Sequence, residues 1–363
     1  MPKQFEVRRD DFSEHRCVDL PARELRDGET RLRIDFFAFT ANNLTYAAAG
    51  DALGYWQFFP AGSDTDSWGV IPVWGFADVI ESRCEDLPEG QRLYGYFPPG
   101  DELIIHPSKV KTASLFDASE HRATLPPLYN RYQRVPARAA ANREQEVLQA
   151  LFGPLYNTSF CLFDQIMNKD GYGAEQAIII SASSKTSIGL AYGLADTTRA
   201  PDSVGLTSRS NLDFVKGLGI YDSVLAYEQL EELPQKPTLV IDMAGNSELT
   251  MKLQARLGEQ LRYYISVGLT HWDQNQGGLG STSDRHEMFF APTYMLERGG
   301  EMPPGEFVRQ AQAYVAKAAG ASGAWLKLQT FEHIAGLASL YPELCAGRMD
   351  PAQGIVCQMA RFD

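Results

Sequence analysis

Residues 177–195 read AIIISASSKTSIGLAYGLA: an apolar run that breaks into small polar residues and then resumes apolar character at helical spacing. This is the sequence form of a strand feeding directly into a helix. At such a junction the first helical N–H groups lack partners and the helix dipole presents its positive end, so the turn suits a phosphate. Ser181, Ser183, Ser184, Thr186 and Ser187 add hydroxyls there, and Lys185 adds a full charge. Gly189 leaves room for close helix–strand contact. A plain strand–turn–helix with polar caps would read much the same.

Working outward, the same alternation repeats. VGLTS leads into SNLDFVKGLG, SVLAYEQL follows, TLVIDMAG leads into NSELTMKLQARLG, and YYISVGLT closes the series. Alternating strand and helix predict a parallel sheet with helices on both faces and right-handed crossovers. Ligands of such sheets bind at the carboxyl ends of the strands, here Ser181, Ser208, Ala244 with Gly245, and Gly268.

The flanks differ in texture. Up to about residue 110 there are short β-rich runs such as RLRIDFFAFT, VIPVWGFADVIES and RLYGYFP, separated by Gly and Pro clusters. Residues 112–136 read as irregular, and 139–167 as helical. From 284 onward the character is mixed: EMFFAPTYML, a helix EFVRQAQAYVAKAA, another around TFEHIAGLASLY, and a final apolar run GIVCQMA. The expectation is an α/β chain in which a Rossmann-type parallel-sheet domain, 151–289, is inserted in a β-rich domain made of 1–150 plus 290–363.

Composition narrows the function. The 363 residues are 44% hydrophobic and 22% charged, as in globular proteins, and the net charge of −13 argues against nucleic acid and anionic membrane surfaces as partners. The N-terminal MPKQFEVRRDDFSEH lacks the apolar core of a secretory signal, so a cytoplasmic location is expected. Cys17, Cys84, Cys161, Cys345 and Cys357 are scattered with no CxxC pair, and the six histidines show no HExxH spacing, so no metal site is expected.

The cofactor reading comes from the second strand's end. In a dinucleotide-binding fold an acidic residue there accepts both ribose hydroxyls and repels a 2′-phosphate. This chain has Thr207, Ser208, Arg209 and Ser210 instead, and a guanidinium among hydroxyls is what a 2′-phosphate needs. NADP(H) is therefore expected over NAD. Lys185–Thr186 does not make a P-loop, because Ser184 and Ile179 stand where that motif requires glycine. No YxxxK pair of short-chain dehydrogenases and no GxSxG elbow is present.

With SASSKTSIGLAYGLA, VGLTSRSNLDFVKGLGIYDSVLAYEQL, TLVIDMAGNSELTMKLQARLG and YYISVGLT, and in the N-terminal half FFAFTANNLTYAAAGD and IPVWGFADVIES, the chain resembles the medium-chain dehydrogenase/reductase superfamily, in its zinc-free quinone-reductase-like branch. SASSKTSIGLA, PPLYNRYQR and HEMFFAPT more closely resemble a bacterial family known only as a domain of unknown function, which supplies no activity. The resemblance implies that the β-rich domain is GroES-like and binds a small-molecule substrate. It also exposes departures: only Gly189 matches the superfamily's glycine-bearing turn, and FFAFTANNLTY carries Asn42, Asn43 and Tyr46 where the catalytic-zinc cysteine would stand.

A metal-free reductase of a small carbonyl, enone or quinone follows as the expectation, with a non-catalytic NADP(H)-binding or partner-binding protein as the alternative. Hydride transfer needs a group that stabilises charge developing on oxygen. Tyr46 resembles the proton donor of some zinc-free reductases, with Asn43 beside it. Tyr129 and Arg131, in LYNRYQR, form a second set suited to clamping a planar or anionic substrate. His271, just beyond YYISVGLT, titrates in the range of a proton relay. A sheet edge of this fold can pair across a two-fold axis, so a homodimer is a further expectation.

Overall fold

The computed structural model describes residues 1–267 and 284–359. The chain divides into two compact units, Met1–Leu151 with Leu326–Asp363, and Phe152–Trp325.

The second unit is built on a six-stranded, wholly parallel sheet. Its spatial order is Ser223–Ala226, Asp202–Thr207, Gln176–Ile180, Thr238–Asp242, Leu261–Val267, His286–Phe289. In chain order this is third, second, first, fourth, fifth, sixth, the doubly wound arrangement, and the direction of winding reverses between Gln176–Ile180 and Thr238–Asp242. The run at 177–180 is apolar throughout because both faces of its strand are covered. Ala177 and Ile179 pack into one layer with Phe160, Leu190 and Leu194, whereas Ile178 and Ile180 pack into the other with Val204, Leu206 and Leu253. Each fully buried isoleucine contributes about 1.5–3 kcal/mol, so this strand anchors the unit.

Two expectations about this unit change. The strand series closes on His286–Phe289, not on the fifth strand. The return to the other unit falls at Leu326, well after 290, because the helices Ala291–Glu301 and Glu306–Ser322 belong to the parallel-sheet layer: Ala291, Phe307 and Ala311 are buried against Phe160, Leu190 and Ile265.

The first unit contains a nine-stranded sheet and a three-stranded one. The C-terminal segment returns to it because Gln353–Gln358 pairs antiparallel with Thr30–Phe39, while Lys327–Glu332 adds in parallel outside it. The stretch expected to be irregular supplies two strands, Ser114–Asp117 and Arg131–Val135. The latter escapes a hydrophobicity reading because Tyr132 is its one fully buried side chain. Two arginines lie inside this unit. Arg92 donates to Glu146, Asp35 and Asp78 at 2.6–3.0 Å, and Arg122 donates to Asp117 at 3.0 Å and to the Tyr129 carbonyl at 2.8 Å. Buried guanidiniums are tolerated only with such saturation. Among the described residues no helix is long and apolar enough to cross a membrane.

Candidate functional site

In the parallel-sheet unit the site begins where Gln176–Ile180 ends. The backbone turns there through Ser181 at φ +62°, a left-handed conformation that costs a residue with a Cβ about 1–2 kcal/mol and that glycine adopts freely. The turn closes with Ser184 N–H donating to Ser181 O at 2.8 Å, while Ala182 N–H donates to Leu206 O at 2.9 Å and holds the turn to the second strand. Ser184 is the N-cap of the helix Lys185–Ala195, its Oγ accepting from Ser187 N–H at 3.2 Å. Its own proton goes to Ser187 Oγ at 2.8 Å. Two of the predicted phosphate hydroxyls are therefore committed to capping. The N–H groups of Ser183 and Thr186 have no acceptor among the described residues, and the partly buried Lys185 occupies the first helical position.

Gly189 does a different job from the one expected. A Cβ there would stand 2.4 Å from Tyr156 Cδ1 and 2.5 Å from Ser159 Oγ, so the glycine admits the long helix Arg143–Asn168, not a strand. Ser159 Oγ also donates to Thr186 O at 2.7 Å, and Tyr314 OH to Gly189 O at 2.7 Å. The pitch of the helix under the turn is set by these contacts.

The end of the second strand comes to the same place. Asn211 Nδ2 donates to Ser183 Oγ at 3.0 Å and Thr207 Oγ1 donates to the same oxygen at 3.5 Å, joining the two stretches predicted to hold the nucleotide. Ser208 shares a 2.9 Å hydrogen bond with Ser210, and the Arg209 side chain is 67% exposed, with only a 3.9 Å approach to the equally exposed Glu228. At the fourth strand's end the N–H groups of Ala244 and Gly245 both donate to Asp242 Oδ1, at 2.8 and 2.9 Å, and Gly245 takes φ +64°. These donors serve an internal turn, which corrects their assignment as ligand contacts. Asp242 Oδ2 accepts from Tyr264 OH at 2.7 Å, and His286 Nε2 lies 2.9 Å from Ser266 Oγ with its pKa lowered by burial. Sequence reasoning missed Asn211, Asp242 and Tyr264. Only Asp242 left a signal, an Asp at a strand end two residues ahead of Ala–Gly. Gly268 and His271 lie outside the described residues.

In the first unit Tyr46 and Tyr129 join one aromatic cluster. Tyr46 and Tyr55 rings are 4.7 Å apart, Tyr96 and Tyr129 4.8 Å, and Tyr55 OH and Tyr129 OH share a 2.9 Å hydrogen bond. Tyr46 OH accepts from Trp74 Nε1 at 3.3 Å. Its side chain is only 7% exposed, and burial pushes its pKa above the ordinary phenol value, with Tyr55 reinforcing the shift. The phenol is a proton donor at neutral pH. Asn43 is not available as its neighbour. Its Oδ1 accepts from Thr40 N–H at 2.7 Å and its Nδ2 donates to Pro72 O at 2.8 Å, so the amide closes the start of the helix Ala41–Ala48. Arg131 is half-buried, its pKa lowered by desolvation, with no side-chain partner among the described residues. Tyr55, Trp74 and Tyr96 are further members of this cluster that the sequence did not disclose.

These residues can be compared with known proteins. The family described as "Protein of unknown function (DUF2855)" matches residues 37–350. No curated protein matches. Among solved structures, CurA from Vibrio vulnificus in complex with NADPH superposes with a TM-score of 0.64 at 10% identity, covering 99% of this chain and 100% of that one. A mutant form of the enoyl thioester reductase from Candida tropicalis gives 0.57 at 11%, covering 98% and 99%. The YhdH oxidoreductase from Salmonella enterica in complex with NADP gives 0.54 at 12%, covering 99% and 100%. At such identities the likeness establishes the fold: a Rossmann-type sheet inserted in a GroES-like, β-rich unit, as in the medium-chain dehydrogenase/reductase superfamily.

Proposed function

The chain belongs to the family DUF2855, and from that premise and the geometry of its parallel-sheet unit we propose that it is an NADP(H)-dependent, metal-free reductase of a small carbonyl, enone or quinone. The observation that carries the reading is the hydrogen-bonded junction of Ser183 with Thr207 and Asn211. It brings the open N–H groups of Ser183 and Thr186 and the charge of Lys185 together with the exposed Arg209, at the carboxyl end of the strand beside which the strand order reverses. The residues present fit a dinucleotide: donors at a helix start for the diphosphate, a guanidinium among hydroxyls for the 2′-phosphate. The neighbours bound to NADPH and NADP support the same cofactor here.

When bound, the nicotinamide supplies hydride. Ser183, Thr186 and Lys185 bind the phosphates, Ser208 and Arg209 read the ribose end, and Ser181 and Gly189 shape the turn. On the substrate side Tyr46 holds a proton on Oη because burial keeps the phenol neutral, against the opposing effect of Trp74, which donates to that oxygen. Tyr129 and Arg131 orient the substrate, Arg131 offering a guanidinium with no side-chain partner among the described residues. The metal-free form rests on Asn42, Asn43 and Tyr46 in a stretch without cysteine, 36–46. Among the described residues His286–Phe289 is the last strand of the sheet and Met288 is 41% exposed, which supports a homodimer through this edge. A cytoplasmic location completes the proposal.

A second reading, an NADP(H)-binding protein without turnover, is favoured by the near-complete burial of Tyr46 and Tyr129. A panel of quinones, enones and aldehydes assayed for NADPH oxidation separates the two. The reductase reading expects turnover with at least one class, and Tyr46→Phe to lower kcat about 10²-fold or more with unchanged NADPH affinity. Binding without turnover across the panel contradicts it.

A further inference from the structure

Ser183 Oγ accepts from Asn211 Nδ2 at 3.0 Å and from Thr207 Oγ1 at 3.5 Å. A serine hydroxyl has two acceptor lone pairs and one proton. With both lone pairs engaged, the proton points away from Asn211 and Thr207, and it meets no acceptor among the described residues. Neighbouring hydroxyls are engaged differently: Ser184 donates to Ser187, and Ser208 and Ser210 share one hydrogen bond. The open N–H groups of Ser183 and Thr186 border the same turn. The complement to three donors without acceptors is an anion that only accepts, such as a phosphate oxygen.

We infer that Asn211 is a positioning residue for phosphate recognition: by donating to Ser183 Oγ it fixes that hydroxyl as an outward hydrogen-bond donor to a phosphate group of NADP(H). The inference rests on the cofactor reading above and adds a residue with no contact of its own to the phosphate. It explains how a turn lacking glycine binds an anion, since a side-chain donor locked in orientation replaces the close approach of bare backbone. Asn211 also ends the short helical turn Arg209–Asn211, so the same amide ties the phosphate turn to the loop carrying Arg209.

NADPH and NADH titrations, followed by nicotinamide fluorescence and calorimetry, test this on wild type, Asn211→Asp, Asn211→Ala, Ser183→Ala and the Ser183→Ala/Asn211→Ala double variant, each with a thermal melt. Asn211→Asp keeps size but reverses polarity: its carboxylate takes the Ser183 proton and repels phosphate. Affinity for NADPH should fall about tenfold or more, or about 1.4 kcal/mol. Asn211→Ala and Ser183→Ala should each weaken binding several-fold, and Asn211→Ala should add nothing in the Ser183→Ala background. A loss confined to NADPH assigns the donor to the 2′-phosphate; an equal loss with NADH assigns it to the diphosphate. Wild-type affinity in Asn211→Asp overturns the inference, as does an Asn211→Ala penalty that persists without the Ser183 hydroxyl. If folded wild type binds neither nucleotide, the cofactor reading itself fails and takes the inference with it.

Discussion

Gly189→Ala tests how the helix Lys185–Ala195 is seated. The added Cβ would lie 2.4 Å from Tyr156 Cδ1 and 2.5 Å from Ser159 Oγ, about 1 Å inside the 3.4 Å at which ordinary contact begins. Neither neighbour can retreat cheaply. Tyr156 is fully buried, stacked on Phe152 at 4.8 Å and hydrogen-bonded to Ser322 at 2.6 Å, and Ser159 holds the Thr186 carbonyl at 2.7 Å. Overpacking of this kind costs about 1–3 kcal/mol. The gain in helix propensity from Gly to Ala returns about 1 kcal/mol, leaving a net loss of up to about 2 kcal/mol. In a unit of this size that lowers Tm by up to about 8 °C. Because Ser159 connects the long helix to the Thr186 carbonyl, a displaced helix also moves the turn, and NADPH affinity should fall several-fold. Scanning calorimetry with a parallel NADPH titration reads both effects, and Tyr156→Leu in the same chain should restore part of each. Should Gly189→Ala melt above wild type, the propensity gain would be unopposed and the proposed seating against Tyr156 and Ser159 would be wrong.

Other expectations follow from the same contacts. Arg92→Met leaves Asp35, Asp78 and Glu146 without the cation they share, and should destabilise the first unit by about 3–5 kcal/mol in chemical denaturation; a loss under about 1 kcal/mol would mean that Arg138 and Arg143, which also pair with Asp35, hold the cluster without it. His286 titrates below its ordinary value because it is partly buried, so below about pH 6.5 the unfolded chain binds the proton more readily than the folded one. Its contribution is therefore complete above that pH and lost as pH falls through the lowered value; His286→Gln should flatten the fall in stability below about pH 6.5, and an unchanged slope would exclude the assignment.

Much of the fold was readable because a parallel strand buried on both faces is apolar without interruption, as at 177–180, and because the turn chemistry at 181–187 marks a helix start. The sixth strand was not, since HEMF carries two polar residues in four and sits at the sheet edge. Arg131–Val135 hid for a related reason, with Tyr132 alone facing the core. The site was legible only in part. The phosphate turn and Arg209 stand out by local composition, but the Asn211–Ser183 bond joins residues 28 apart. Asn43 misled because an amide near a presumed active position looks the same whether it caps a helix or meets a substrate. Gly189 announced close packing without announcing its partner, which lies in a helix about 30 residues upstream.

The most direct test of the cofactor assignment is calorimetric titration of the intact protein with NADPH and, separately, NADH. Saturable binding of NADPH, tighter than NADH, with Arg209→Ala narrowing the difference, is the predicted result. An absence of heat with NADPH at millimolar concentration, from protein whose melt shows it folded, would contradict it.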